Sequence, residues 1–112
     1  MGEINWRDNW NSALEEAQKV DRRIVLELYM EGCPHCMRLH NETHADDQVA
    51  QTLNSQFIPV RLEGRSHMDV VKQFNVTGAP TTLVFGKDGK ELHRFAGYYP
   101  PQEYLEQLQK AG

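Results

Sequence analysis

The sequence has few cysteines, no long hydrophobic run and no cluster of basic residues. It holds two cysteines, Cys33 and Cys36, in 112 residues, and one closely spaced pair cannot build a framework of structural disulfides. No apolar stretch reaches the length of a membrane span, and no signal peptide is recognisable. The net charge of −4 gives no electrostatic support for nucleic-acid binding. We therefore expect neither membrane insertion nor a nucleic-acid partner.

The length and composition are those of a globular protein. Hydrophobic residues make up 39% of the chain and charged residues 25%, which are ordinary values. We expect residues 1–112 to form a single domain and a monomer. If the chain is complete as given, we expect it in the cytoplasm. If a signal segment has been removed and Met1-Gly2 added, we expect an extracytoplasmic compartment such as the periplasm.

Hydrophobic patterning predicts alternating helices and strands. The predicted elements are helix 6–20, strand 24–29, helix 33–42, a short helix capped by Asp46-Asp47, strand 57–62, helix 66–74, strand 81–85, strand 91–95 and helix 102–110. Crossover helices between the early strands imply parallel pairing, whereas the terminal hairpin adds antiparallel strands. Pro59 favours an edge position for its strand. We therefore expect an α/β fold with a mixed sheet.

Two details concern the helix ends and faces. Ser12 and Glu15 have the spacing of a capping box at the start of the first helix. Met68, Val71 and Phe74 recur at helical spacing, so we predict that all three face the core.

The two cysteines lie where a predicted strand meets a predicted helix. An apolar run ends at Tyr29, and Cys33-Pro34-His35-Cys36 opens the helical pattern that follows. Free backbone N–H groups and the positive end of the helix dipole stabilise a thiolate, which is the nucleophilic form of cysteine. Pro34 suits the first helical position because its missing N–H is not needed there. This stretch predicts reversible disulfide chemistry.

The same residues also resemble part of a zinc-site pattern. Cys33, Cys36, His40 and His44 have the spacing C-x2-C-x3-H-x3-H, which nominally supplies four ligands. Residues four apart on a continuous helix rise by about 6 Å, so His44 would lie about 12 Å from Cys36. That is too far for one ion unless the helix breaks near Asn41. We favour redox chemistry and expect no metal, with a zinc-binding module using Cys33, Cys36 and His40 as an alternative.

Further motifs occur together with the cysteine pair. Gly78-Ala79-Pro80-Thr81 precedes an apolar strand, and Lys87-Asp88-Gly89-Lys90 forms the hairpin loop after it. Taken with the strand, Cys-x-x-Cys and helix, these motifs resemble the thioredoxin-fold family. The run 43–49 is an extra helix after the helix that follows the cysteines, and it is similar to small thioredoxin-like proteins and to the terminal domain of DsbD-type disulfide interchange proteins. The resemblance implies a central mixed sheet of four to five strands flanked by helices on both faces.

The resemblance also implies roles for individual residues. Cys33 would be the exposed attacking thiol and Cys36 the buried resolving thiol. Pro80 would be a cis-proline that faces the cysteines, and with Ala79 and Gly32 it would help to bind an extended substrate.

Glu27 lies six residues before Cys33, where thioredoxins carry a buried Asp that moves protons to and from the resolving cysteine. A glutamate between Leu26 and Leu28 is unexpected in a buried strand. We predict that it lies under the site with a raised pKa and serves the resolving thiol. The alternative is an outward-facing carboxylate paired with Arg61.

The residues around the first cysteine depart from the thioredoxin pattern. Gly32 stands where thioredoxins have Trp, and Pro34-His35 replaces their Gly-Pro with the dipeptide of DsbA-type oxidants. A protonated imidazole beside Cys33 would favour its thiolate and make the disulfide more oxidising. The alternative is a solvated histidine without a role. We predict that Pro34 and His35 tune the redox potential.

We interpret the chain as a thiol–disulfide oxidoreductase. It would exchange a Cys33–Cys36 disulfide with protein substrates through a mixed disulfide on Cys33. This chemistry needs no cofactor, so the electrons would come from an upstream redox partner protein, and the substrates would be protein thiols and disulfides. A redox-inert thioredoxin-like adaptor is the remaining alternative, and the direction of exchange stays open.

Overall fold

A four-stranded mixed sheet lies at the centre of the computed structural model, which describes residues 3–111. The elements in chain order are α1 (Trp10–Val20), β1 (Arg23–Tyr29), α2 (Pro34–Arg38), a π-helical turn (Leu39–Thr43), α3 (Asp47–Gln56), β2 (Phe57–Glu63), a 3-10 turn (Gly64–Ser66), α4 (Met68–Gln73), β3 (Thr81–Phe85), β4 (Glu91–Ala96) and α5 (Pro101–Gln109). No helix among the described residues combines the length and the hydrophobicity needed to cross a bilayer.

The strands are arranged in the order β2-β1-β3-β4. β1 pairs in parallel with β2 and antiparallel with β3, and β3 pairs antiparallel with β4. Pro59 lies on the edge strand β2, as predicted, where a missing N–H is tolerated. Arg7 extends this edge, since its N–H donates to the Pro59 carbonyl at 2.8 Å and its carbonyl accepts from Arg61 at 3.0 Å. The α/β class and the mixed sheet are therefore confirmed.

Both faces of the sheet are buried, so β1 is an almost continuous apolar run. One face packs against α1 and α4, and the other against α3, α5 and the π-helical turn. The first core includes Trp10, Ala13, Leu26, Leu28, Ile58, Val70 and Phe85; the second includes Val25, Leu39, Val49, Leu53, Phe57, Val84, Tyr104 and Leu108. Side chains alternate along a strand, so Glu27 points into the second core with Val25.

The first helix begins at Trp10, four residues after the predicted start of helix 6–20 and before the predicted capping box. Asn9 is its N-cap, and the side-chain oxygen of Asn9 accepts the Ser12 N–H at 2.9 Å. The capping box at Ser12 and Glu15 is therefore wrong. Trp10, the first helical residue, is buried in the first core, and Asn9 directly before it is a favoured capping residue type.

The inward face of α4 also differs from the prediction. Val70 is buried and Met68 is 46% exposed, whereas Val71 and Phe74 are partly buried against the first core. The prediction was therefore wrong for Met68. Met68 is the first residue of α4. It follows a 3-10 turn in which the Glu63 side chain accepts the Ser66 N–H.

The second helix changes its winding before it ends. α2 has α-helical geometry only to Arg38, and the next five residues form a π turn closed by a 3.0 Å bond from the His44 N–H to the Leu39 carbonyl. The sequence predicts a plain helix to about Glu42, because a π turn has no strong signature in residue type. The wider turn ends with His44 buried at the second core.

Candidate functional site

Cys33 lies at the start of α2. Its backbone is extended (φ −83°, ψ 115°), and its sulfur accepts the Cys36 N–H at 3.2 Å. Pro34 occupies the first helical position, as expected. A backbone N–H directed at sulfur stabilises negative charge there. Cys33 is partly exposed and both cysteines are reduced, so an attacking thiol is presented to solvent.

The turn before Cys33 depends on glycine. Gly32 has φ +77°, a left-handed conformation that L side chains rarely adopt. A Cβ built on Gly32 would meet nothing within 4 Å. Backbone conformation, and not space, therefore favours glycine beside the exposed sulfur.

The loop before β3 lies against the first cysteine. The Cys33 sulfur is 3.7 Å from the Ala79 carbonyl, and the Ala79–Pro80 peptide bond is cis, as the resemblance implies. The Thr81 hydroxyl donates to the Gly78 carbonyl at 2.7 Å, and Pro80 accepts the Gly97 N–H at 2.8 Å. These bonds hold the loop beside the sulfur.

Cys36 lies on the inner face of α2 and is 2% exposed. Burial, together with the neighbouring Cys33 sulfur and the charge of Glu27, raises the pKa of Cys36 to about 12. The two thiols thus differ sharply in environment, since one is accessible and the other is buried and held protonated at neutral pH.

Glu27 is fully buried beneath this helix. Arg61, its partner residue on β2, donates from Nε to one carboxylate oxygen at 3.2 Å. His44 Nε2 lies 2.7 Å from the other oxygen, and both of these atoms are buried. The buried position agrees with the prediction, and the Arg61 contact belongs to the alternative.

The predicted direction of the Glu27 pKa shift is wrong. Burial, the largest single influence, acts to raise the pKa of Glu27, but the combined influence of the neighbouring His44 and Arg61 side chains outweighs it and holds this pKa below the usual value. From the sequence, a buried Glu27 and a Glu27 paired with Arg61 are alternatives, whereas in the structure Glu27 is both buried and paired with Arg61. The sequence pattern does not pair Glu27 with His44, which is 17 positions away in the chain.

Two histidines extend the buried cluster towards solvent. Nδ1 of His44 and Nδ1 of His40 are 3.0 Å apart; His44 is 4% exposed, whereas His40 is exposed. The spacing C-x2-C-x3-H-x3-H nominally makes both of them zinc ligands. Among residues 3–111 no group of three or more His, Cys, Asp or Glu side chains could hold a metal ion. The zinc alternative therefore has no support in the described structure.

The residues between the cysteines face outward. Pro34 and His35 are both exposed in the first turn of α2. Within the described chain, no hydrogen bond joins the His35 ring to either sulfur. Any effect of His35 on Cys33 would therefore act through space.

The comparisons with known proteins agree with this geometry. A match to the thioredoxin-like domain family extends over residues 10–112. The chain belongs to the thioredoxin-like family. This membership supports thiol–disulfide oxidoreductase as its general class.

This thioredoxin-like chain is similar to one part of a longer protein. It is 31% identical over 98 residues to the thiol:disulfide interchange protein DsbD of Yersinia pestis, a match that covers 83% of this chain and 16% of that protein. The chain therefore spans about one sixth of the length of this relative.

Solved structures show the same fold. A thioredoxin from Thermus thermophilus has a TM-score of 0.85 at 23% identity, covering 98% of this chain and 87% of that one. The DsbD C-terminal domain of Neisseria meningitidis in its oxidised form has a TM-score of 0.76 at 20% identity, covering 91% and 92%. At these identities the likeness concerns the fold alone.

The contrast between the two thiols predicts unequal alkylation. At pH 7 a thiol with a pKa of about 12 is ionised in only about one molecule in 10⁵, so Cys36 should react with iodoacetamide far more slowly than the exposed Cys33. Peptide mass spectrometry of reduced protein after timed quenching gives both rates. In denaturant the two rates should converge. Equal rates in the folded protein would contradict the assignment.

Proposed function

We propose that this thioredoxin-like protein exchanges disulfides with protein substrates, with Cys33 as nucleophile and Cys36 as resolving thiol. The observation that carries the proposal is the geometry of the pair: the accessible Cys33 sulfur accepts a helix N–H at 3.2 Å, while Cys36 lies buried in the same turn. Such a pair presents one reactive sulfur to a substrate and keeps the second in reserve.

The chemistry is a pair of balanced exchanges. The Cys33 thiolate attacks a substrate disulfide, forms a Cys33–substrate bond and releases one substrate thiolate. Cys36 then loses its proton and attacks Cys33, which forms the Cys33–Cys36 disulfide and releases the second substrate thiolate. Two electrons pass to the substrate in this direction, and the reverse sequence oxidises a substrate dithiol.

Glu27 is the proposed proton acceptor for Cys36. Its pKa lies below the usual value, so it is ionised at neutral pH and available to accept. Transfer is unfavourable while the Cys33 sulfur raises the pKa of Cys36, which protects Cys36 from premature reaction. Once Cys33 is consumed in the mixed disulfide its charge is gone, and the barrier to losing the Cys36 proton falls.

An apolar groove beside the cysteines is the proposed substrate contact. It has a volume of about 230 Å³ and its lining includes Tyr29, Met68, Val76, Gly78 and Ala79. Together with Gly32 and the cis peptide bond at Pro80, it would accept an extended peptide next to Cys33. Protein thiols and disulfides are the proposed substrates, and a second redox protein is the proposed source of electrons.

Trapping experiments test the assignment of the two cysteines. Cys36→Ala should accumulate a mixed disulfide with a disulfide-containing model substrate such as insulin, because resolution is blocked. Cys33→Ala should lack insulin-reductase activity with dithiothreitol as donor. Non-reducing electrophoresis and turbidity measure the two results. Full activity of Cys33→Ala would contradict the proposal, and a wild-type protein without turnover would favour a redox-inert adaptor.

The redox potential tests the proposed role of Pro34 and His35. Charge that favours the Cys33 thiolate favours the reduced state, by about 1.4 kcal/mol for each unit of thiol pKa, which is about 30 mV for two electrons. Pro34→Gly/His35→Pro should therefore make the protein more reducing in a glutathione buffer, whereas His93→Ala should not change the potential. An unchanged potential in the double variant would show that these residues do not tune the couple.

A further inference from the structure

The contacts of the buried Glu27 side chain continue through His44 to His40, which reaches the protein surface. His44 contacts Glu27 through Nε2 and His40 through Nδ1, at 2.7 Å and 3.0 Å. An imidazole engaged at both nitrogens can take part in proton transfer at each end. Thiol–disulfide exchange as proposed above uses Cys36 and Glu27 but gives no role to either histidine.

We propose that Glu27, His44 and His40 form a proton path that connects Cys36 to solvent on the face away from the substrate groove. This inference rests on the proposed exchange chemistry and extends it. His44 and His40 act through Glu27 and do not touch the reacting sulfurs, so they are positioning and relay residues.

The π-helical turn holds the two rings in this arrangement. The turn is fixed to the segment after β4, because the Thr43 hydroxyl donates to the Tyr99 carbonyl at 2.5 Å and the Tyr98 hydroxyl donates to Glu42 at 2.8 Å. The His44 ring also packs against Trp6, with centroids 4.9 Å apart. His44 is thus kept at Glu27 while its neighbour one turn earlier reaches the surface.

Several charged or titratable groups face the path. Glu27 on β1 contacts both His44 and Arg61 of β2. Tyr104 on α5 places its ring 6.1 Å from the His44 ring, and Glu3 lines the surface pocket shared with both histidines. Burial and the charge of Glu27 raise the pKa of Tyr104 well above its usual value, so its hydroxyl stays protonated. Arg61 stays charged, which leaves the imidazoles to exchange protons.

Proton movement along the path can be balanced over one catalytic cycle. In the resolving step Cys36 gives its proton to Glu27. Glu27 passes a proton to Nε2 of His44 while His44 gives its Nδ1 proton to Nδ1 of His40, and His40 releases its Nε2 proton to water. When the disulfide is reduced again, each transfer reverses. Heavy-atom distances of 2.7 Å and 3.0 Å are within reach for proton transfer, even where an apo contact is poorly aligned.

The surface end of the path is suited to releasing protons. Partial desolvation of its ring, with the neighbouring Arg61 and His44, lowers the pKa of His40 below its usual value although the residue reaches the surface. A proton that reaches His40 at neutral pH therefore passes readily to water. The pocket around His40, of about 330 Å³ and lined also by Ile4 and Trp6, gives water and small buffers access to the ring.

The test follows the two phases of the reaction with Ellman's reagent. Attack by Cys33 releases one thionitrobenzoate, and resolution by Cys36 releases the second, so stopped-flow absorbance separates the steps. His40→Ala should slow the second phase at least about tenfold at low buffer concentration and leave the first phase unchanged. Added imidazole should restore the second phase, because a small base can enter the pocket and replace the missing ring.

Two further variants complete the design. His44→Gln should slow the second phase at least as much; if it fails to fold, the exposed His40→Ala variant decides alone. The control is His93 on β4, whose ring contacts Gln107 of α5 and neither cysteine. His93→Ala should leave both phases unchanged. A second phase that His40→Ala leaves within twofold of wild type, or that slows without rescue by imidazole, would overturn the path. A wild-type protein that releases no thionitrobenzoate would instead refute the exchange chemistry.

Discussion

The structure depends on one buried carboxylate and the two basic side chains, Arg61 and His44, that lie against it. Glu27 is fully enclosed beneath the cysteine-bearing helix, where an unpaired charge would be very costly. Arg61 and His44 approach its two oxygens from opposite sides. Removing one partner from such a buried pair costs about 3–5 kcal/mol, so the identities of all three residues are linked.

This interaction ties the site to the fold. It joins the central strand β1, the edge strand β2 and the π-helical turn after α2, and it lies under the thiol that must lose a proton. Because folding lowers the pKa of Glu27, the cluster adds stability above the unfolded value of about 4.5, and that stability is lost as pH falls through the folded value. The same cluster therefore stabilises the fold and is the one that we propose for proton transfer.

Local sequence signals were enough for much of the architecture and for the cysteine pair. The strand 81–85 was predicted with the observed bounds, because a turn-rich break precedes an apolar, β-branched run. Asp46 caps α3 as expected, since an aspartate in front of an amphipathic stretch is a strong start signal. The cis bond at Pro80 followed from family resemblance and not from its neighbours.

Contacts between residues far apart in the sequence, such as Glu27 and His44, could not be predicted from local sequence patterns. His44 looked like a distant zinc ligand because a regular helix was assumed, and one π turn changes which side chain meets the core. The Glu27 pKa was predicted in the wrong direction because burial was visible in the apolar strand whereas the His44 contact was not. Residues that compensate a buried charge are fixed by packing between elements, so spacing along one element does not reveal them.

The measurement that tests the account most directly is the titration of the Glu27 carboxyl group. Carbon-detected NMR on the reduced protein, with Glu27→Gln used to assign the signal, follows its ionisation as pH falls. The account predicts that Glu27 stays ionised at neutral pH and titrates below the usual value of 4.5. A midpoint above that value would mean that burial dominates and that His44 and Arg61 do not hold the charge, which would contradict the account.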